Sequence, residues 1–264
     1  VELLLWPRGR GRQGASVSQE AVGSPLEGVW RVYLPHAPQL CYTCHRQKGR
    51  QPMIKIFIFG DSIAYGAWDP EGGWVERLRQ WLFGTTRGDY NRGTFLYNLS
   101  IVGETTAELR KRFPTELAAR QPAPEDLIVF ATGINDTQFV QGQPIATPTD
   151  VCTHVRALLQ QARTWTPRLC WVGLTPVDDA RTTPIPWMPD RAYRNAIVAE
   201  FEAAIRQTAA AEAVPYIELF RPWTADRGYP QLLCDGIHPN AAGHAQIYER
   251  MKTFLQLQGL GNGT

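Results

Sequence analysis

The chain has 264 residues, 44% of them hydrophobic and 20% charged, with aromatics enough for a sizeable core; this is the composition of a globular protein with one large domain and an extension. A formal net charge of +2 gives no reason to expect a nucleic-acid partner, and no run of about 18 apolar residues offers a membrane span. The five cysteines follow no disulfide framework, and Cys170 sits in an apolar strand-like run, so a reducing, cytoplasmic setting is expected.

Residues 1–52 carry seven basic side chains against three acidic ones, and the remainder 20 against 22. The body of the protein is therefore slightly acidic. The opening VELLLWPRGRGR is a poor secretory signal, because its apolar part is short and its charge follows rather than precedes it. With scattered Gly and Pro and no sustained period, residues 1–52 read as a disordered or mis-annotated leader, with Met53 the expected biological start. Within it, Cys41, Cys44 and His45 have the spacing of a c-type haem attachment or of part of a zinc site. No packed helical domain or fourth ligand accompanies them, so chance is the better reading and no metal or cofactor is expected.

From Met53 the pattern alternates. Ile54–Phe59 is a continuous apolar run, as a strand covered on both faces requires. Trp74, Val75, Leu78, Trp81 and Leu82 recur at helical spacing. Phe95–Val102 predicts a second strand, and 104–120 a helix broken near Pro114. Leu127–Ala131 is a third strand, and a helix marked by Val151, Val155, Leu158, Leu159 and Ala162 follows Pro148. Leu169–Leu174 predicts strand four, a long helix begins near Asp190, Val214–Leu219 is strand five, and Ala241–Leu257 closes the chain. Strands alternating with helices imply a parallel sheet with helices on both faces and ligands beyond the carboxyl ends of its strands.

The unusual residues fall at those ends. Ser62 follows strand one, Gly103 strand two, Asn135 and Asp136 strand three, and Asp235 and His238 strand five. A serine hydroxyl needs a base to become a nucleophile. Of five histidines, His36 and His45 lie in the leader, His154 is expected on a helix flank and His244 as a structural group, leaving His238. Asp235, three positions before it across Gly236, can accept the imidazole Nδ1–H and leave Nε2 facing Ser62. Acyl transfer also needs donors for an oxyanion. The backbone N–H groups of Ser62 and Gly103 and the Asn135 amide qualify. Asp61 is expected to brace the serine's turn rather than act on the serine. Singly, each of these residues has an ordinary explanation as a turn, cap or surface pair; their joint occurrence at strand ends does not.

Four blocks carry a family likeness: Phe59-Gly60-Asp61-Ser62-Ile63, Asn98-Leu99-Ser100-Ile101-Val102-Gly103, Gly133-Ile134-Asn135-Asp136, and Asp235-Gly236-Ile237-His238-Pro239. Residues 53 to about 257 thus resemble the SGNH hydrolase superfamily, also called GDSL esterases/lipases, with Ile63 where the family name has leucine. The resemblance implies a three-layer, flavodoxin-like doubly wound α/β domain over 53–264. It also implies a triad of Ser62, His238 and Asp235, and an oxyanion hole from Ser62, Gly103 and Asn135.

The implied activity is hydrolysis of a small-molecule carboxylic ester through an acyl-enzyme. Thioesterase, lysophospholipase, carbohydrate deacetylase and sugar O-acyltransferase remain open on the same machinery, as does a non-catalytic binding domain. A flavin protein on the same topology is disfavoured, since no phosphate-cradling loop follows strand one. Trp68 after the nucleophile turn, and Trp187 and Met188 in the proline-rich loop 175–190, are candidate substrate-binding residues whose compact apolar walls suit short acyl groups or acetylated sugars.

Overall fold

The computed structural model describes residues 53–86 and 93–261; the expected leader, 1–52, and its Cys41–Cys44–His45 cluster lie outside the described residues. Strand β1 (Ile54–Gly60) leads into a single-turn helix α1 (Ser62–Tyr65), then α2 (Gly73–Thr86), β2 (Thr94–Asn98), α3 (Thr106–Ala118) and β3 (Leu127–Ala131). Two short strands, β4 (Phe139–Val140) and β5 (Gln143–Pro144), precede α4 (Pro148–Arg163), β6 (Leu169–Val172), the one-turn α5 (Asp179–Thr182) and β7 (Arg191–Ala192). The chain continues through α6 (Asn195–Ala211), β8 (Tyr216–Ile217), α7 (Phe220–Thr224) and α8 (Ala241–Leu257).

The main sheet has the order β2-β1-β3-β6-β8, and every pairing in it is parallel. This is the doubly wound order whose switch point lies between β1 and β3. Helices α2 and α8 pack together on one face, and α3, α4 and α6 on the other. β1 is central, so both faces of Ile56–Phe59 are fully buried, which accounts for an apolar run without alternation. Under α3 an aromatic stack joins Phe59 to Phe113 at 4.9 Å, Phe113 to Phe130 at 5.3 Å and Phe130 to Trp171 at 5.2 Å; such pairs add about 0.5–1.5 kcal/mol each beyond their burial.

Four expectations are corrected. Pro114 does not interrupt α3, which runs continuously past it. Pro114 is only half-buried and Arg110, whose carbonyl loses its helical partner, is exposed, so water can serve that oxygen. The long helix begins at Asn195, not near Asp190, because Arg191–Ala192 pairs instead with β4. That small antiparallel sheet, β5-β4-β7, was not foreseen. Its strands are two residues each, too short to leave a period. The last main-sheet strand shrinks to Tyr216–Ile217. β2 stops at Asn98, although Leu99 and Ile101 N–H still donate to the Ile58 and Gly60 carbonyls.

Candidate active site

The segments at the sheet's carboxyl edge enter short or long helices through side-chain caps, which fixes where their neighbours point. Asp61 caps α1 by accepting from Ile63 N–H at 3.0 Å, so Ser62 is the first helical residue and is 4% exposed. Gly60 permits this close fit, since a Cβ there would lie 2.5 Å from Ala64 Cβ and 2.7 Å from the Ala131 carbonyl. Thr105, two residues after Gly103, forms a reciprocal capping box with Glu108 at the start of α3. Asn240, two residues after His238, caps α8 through Ala242 and Gly243 N–H.

Ser62 is brought into one hydrogen-bonded line with the distant pair Asp235 and His238. Ser62 Oγ lies 2.8 Å from His238 Nε2, and His238 Nδ1 lies 2.7 Å from Asp235 Oδ2. The other carboxylate oxygen of Asp235 accepts the backbone N–H of Ile237 at 2.9 Å and of His238 at 2.8 Å. Burial pushes this carboxyl up, but the hydrogen bond and charge of His238, with the two backbone donors, outweigh it and hold it at about 2. Asp235 is therefore ionised, and the Nδ1–H tautomer leaves Nε2 free to accept the serine proton.

The donor side of the site is assembled from β3 and the loop after β2. Neither the Ser62 nor the Gly103 backbone N–H has a hydrogen-bond acceptor among the described residues. Gly103 has φ +80°, while a Cβ there would meet nothing, so glycine is needed for its backbone conformation. Asn135 Nδ2 donates to the Glu104 carbonyl at 3.0 Å, which leaves its second amide hydrogen beside the Gly103 loop. Asn135 Oδ1 accepts from Tyr193 O–H at 3.1 Å, Tyr193 oxygen accepts from Gln138 Nε2 at 2.8 Å, and Gln138 Oε1 accepts from Arg191 at 2.9 Å. This chain fixes which way the Asn135 amide faces. Burial pushes the Tyr193 phenol well above its usual range, so it stays protonated and can donate.

Two further side chains brace these loops. Arg112 clamps buried Glu104 and donates to the Leu99 carbonyl at 2.7 Å. Asp136 accepts Thr106 N–H at 2.9 Å and Thr106 O–H at 2.6 Å, tying its block to the start of α3; burial pushes its carboxyl up to about 6 against those donors.

The remaining candidates are distributed as follows. Asp61 points down as a cap, and burial pushes its carboxyl up to about 7. His244 is fully buried on the first turn of α8, accepting from Trp74 N–H at 3.4 Å; burial lowers its pKa to about 4. Trp68 lies against Asp235 and His238. Trp187 is 54% exposed and Met188 half-buried, and no hydrogen bond or ring contact joins either to Ser62, Asp235 or His238 among the described residues. Loop 175–190 instead supports the histidine loop: Asp178 N–H donates to the Gly236 carbonyl at 2.8 Å, and Arg181 to the Cys234 carbonyl at 2.9 Å. Tyr193, Gln138 and Arg191 escaped the sequence reading because each acts on a partner more than fifty residues away and belongs to no local pattern, and Arg112 because its reach back to Glu104 and Leu99 leaves the helix it stands on. Among the described residues no cluster of His, Cys, Asp and Glu could hold a metal.

A flavodoxin-like sheet with a serine, a histidine and an aspartate in line at its carboxyl edge defines the class: an α/β protein equipped for acyl chemistry. The chain belongs to the GDSL-like lipase/acylhydrolase family, whose model matches residues 58–246. It is a hydrolase acting on ester bonds. No curated protein matches the chain significantly. Among solved structures it is similar to the lipase/acylhydrolase from Enterococcus faecalis, at 20% identity and a TM-score of 0.62 over 78% of this chain and 97% of that one. The acetyl xylan esterase AlAXEase gives 18% and 0.60 over 76% and 100%. An acetylxylan esterase from Geobacillus stearothermophilus gives 16% and 0.57 over 78% and 94%. At these identities the likeness establishes the fold alone.

Proposed function

We propose that the protein hydrolyses a carboxylic ester with a short acyl or acetyl group through a covalent acyl-enzyme, with Ser62 as nucleophile, His238 as base and Asp235 as its orienting partner. The observation that carries this reading is the line from Ser62 Oγ through the imidazole to Asp235, with hydrogen bonds of 2.8 and 2.7 Å. As Ser62 Oγ bonds to the ester carbonyl carbon, its proton passes to His238 Nε2 and the carbonyl π pair moves onto oxygen. The free N–H groups of Ser62 and Gly103 and the second amide hydrogen of Asn135 receive that charge; each such donor contributes roughly 3–4 kcal/mol to the transition state. The intermediate collapses as the C–O bond to the leaving alcohol breaks, and the imidazolium protonates the departing oxygen. Water then repeats the sequence on the acyl-enzyme, with His238 again as base.

Two features support a short acyl group. Ile101 and Val102, exposed immediately before Gly103, make a compact apolar edge beside the donors. Two structural neighbours are named as acetyl xylan esterases. The test is a panel of p-nitrophenyl esters from acetate to palmitate with acetylated xylan and acyl-thioester substrates. We expect kcat/KM highest for acetate and butyrate. A maximum on long chains or thioesters would replace the short-acyl reading with a lipase or thioesterase one.

A further inference from the structure

Trp68 is built in a way that neither packing nor backbone preference explains. The residue is 67% exposed, so little apolar burial rewards its placement. Its φ is +67°, in the left-handed region where a Cβ-bearing residue is disfavoured by about 1–2 kcal/mol. Backbone strain of this kind persists only where the surroundings over-determine it, and here they do. Ala67 N–H donates to the Ser62 carbonyl at 3.0 Å, Asp69 N–H to Gly66 at 3.2 Å and Gly72 N–H to Asp69 at 2.9 Å. The buried Asp69 carboxylate pairs with Arg77 and accepts Glu71 N–H at 3.2 Å. The ends of the loop touch so closely that a Cβ on Gly66 would lie 2.3 Å from the Gly72 carbonyl oxygen.

This loop delivers the indole to the acid–base pair. Trp68 Nε1 is 3.0 Å from Asp235 Oδ2 and 3.2 Å from His238 Nδ1, with the two rings edge-on at 6.0 Å and 88°. An indole N–H can only donate. Donation to Nδ1 would demand the imidazole tautomer with its proton on Nε2, which cannot take a proton from Ser62. The ionised carboxylate is the stronger acceptor, so the N–H goes to Oδ2 and the short Nε1–Nδ1 distance reflects two donors sharing one oxygen. Asp235 then has four donors: Ile237 N–H, His238 N–H, His238 Nδ1–H and Trp68 Nε1–H. A carboxylate has about four lone-pair sites, so it is saturated.

We propose that Trp68 is a positioning residue for the Asp235–His238 pair, acting through its indole N–H on the carboxylate rather than only as a wall for substrate. The proposal rests on the ester-hydrolase reading above. By occupying the last acceptor site, the indole excludes water from Oδ2, holds the imidazole in the productive tautomer and draws charge from the carboxylate. Removing that donor leaves more negative charge facing Nδ1, which favours the imidazolium. The free enzyme then loses its base at higher pH.

The other groups facing the pair are Asp61 beyond β1, His244 of α8, Asp69 with Arg77 of α2, Cys234 on the same loop, and Arg181 of α5 paired with Asp178. None of them is itself replaced by a substitution at position 68. Trp68→Phe keeps an aromatic side chain, smaller than the indole, and removes the N–H donor. We expect the acid limb of its kcat/KM profile to move up by about half a pH unit, a roughly threefold loss below the limb. An unmoved limb with a raised KM would make Trp68 a substrate contact and overturn the proposal.

A spectroscopic measurement independent of turnover stands beside it. Among the nine tryptophans, the indole N–H resonance missing from Trp68→Phe is that of Trp68. In otherwise native protein it is expected to shift upfield on Asp235→Asn, and an indole resonance indifferent to that replacement would also overturn the proposal. Failure of the ester-hydrolase reading would appear differently, as absent turnover in the unsubstituted protein with the indole resonance still responsive.

Discussion

The two halves of the site are held together in opposite ways. The acid–base half is local: Asp235 and His238 stand three residues apart, and the carboxylate that orients the imidazole also takes backbone N–H groups from its own turn. The donor half is a long-range construction, in which Asn135 is fixed by Glu104 from one segment and by Tyr193 from another, with Arg191 holding Tyr193's partner Gln138. A local arrangement survives small shifts of the scaffold, because its members move together. A relay across segments transmits such shifts to the amide it orients. The proton-transfer half should therefore respond to substitution as a unit, and the donor half in graded steps with distance from the oxyanion.

Replacing a member of the Ser62–His238–Asp235 line has the largest expected effect. Ser62→Ala should lower kcat on a short p-nitrophenyl ester by on the order of 10⁴–10⁶ with the fold intact by circular dichroism. His238→Ala should cost a similar factor, and the double variant little more than either alone. Next comes Asn135→Ala, with a loss of about 10²–10³ in kcat and KM nearly unchanged, since the donor acts on the transition state. Additive losses in Ser62/His238 double variants would show that serine and imidazole do not act as a unit.

One step further out, Tyr193→Phe removes the hydroxyl that sets the Asn135 amide. The net worth of such a bond, about 0.5–1.5 kcal/mol, corresponds to a two- to tenfold fall in kcat. KM should hold, and the loss should vanish in the Asn135→Ala background. A Tyr193 effect that persists in that background would show that the relay serves stability rather than the amide.

The same contrast explains what the sequence disclosed. β1 was readable because a strand buried on both faces must be apolar throughout, and Ser62 because it ends that run. Asp235 and His238 were readable because their partnership is written in a single spacing of three residues. Tyr193 carries no such mark: its partners lie 55 and 58 residues away in Gln138 and Asn135, and the β4–β7 pairing brings them close. Trp68 was legible as an aromatic near the serine but not as a donor to Asp235, 167 residues distant. Pro114 misled because proline's missing N–H matters only where the orphaned carbonyl is dry, a property of the tertiary surface.

The last expected effect concerns stability and involves no chemistry. Asp61 titrates at about 7 in the fold because it is buried, against 3.8 for an ordinary aspartate. The folded state thus keeps a proton that the unfolded chain gives up. Its contribution to stability is fully present below pH 3.8, and is lost as pH rises through about 7. Asp235, held at about 2, acts oppositely, contributing above pH 3.8 and losing that contribution as pH falls toward 2. Asp61→Asn keeps an oxygen to accept Ile63 N–H and cannot ionise. Its thermal midpoint should gain on that of the unsubstituted protein between pH 4 and 8, by up to a few kcal/mol in unfolding free energy. Parallel curves across that range would mean that Asp61 is not buried as a neutral acid.

The central claim is that the Ser62 hydroxyl is made nucleophilic by His238. Labelling with a fluorophosphonate, followed by peptide mass mapping, tests it most directly. The account predicts a single stoichiometric adduct on Ser62, formed rapidly in the unsubstituted protein and slowed by orders of magnitude in His238→Ala. An adduct on another residue, or labelling of Ser62 at the same rate without the imidazole, would contradict it.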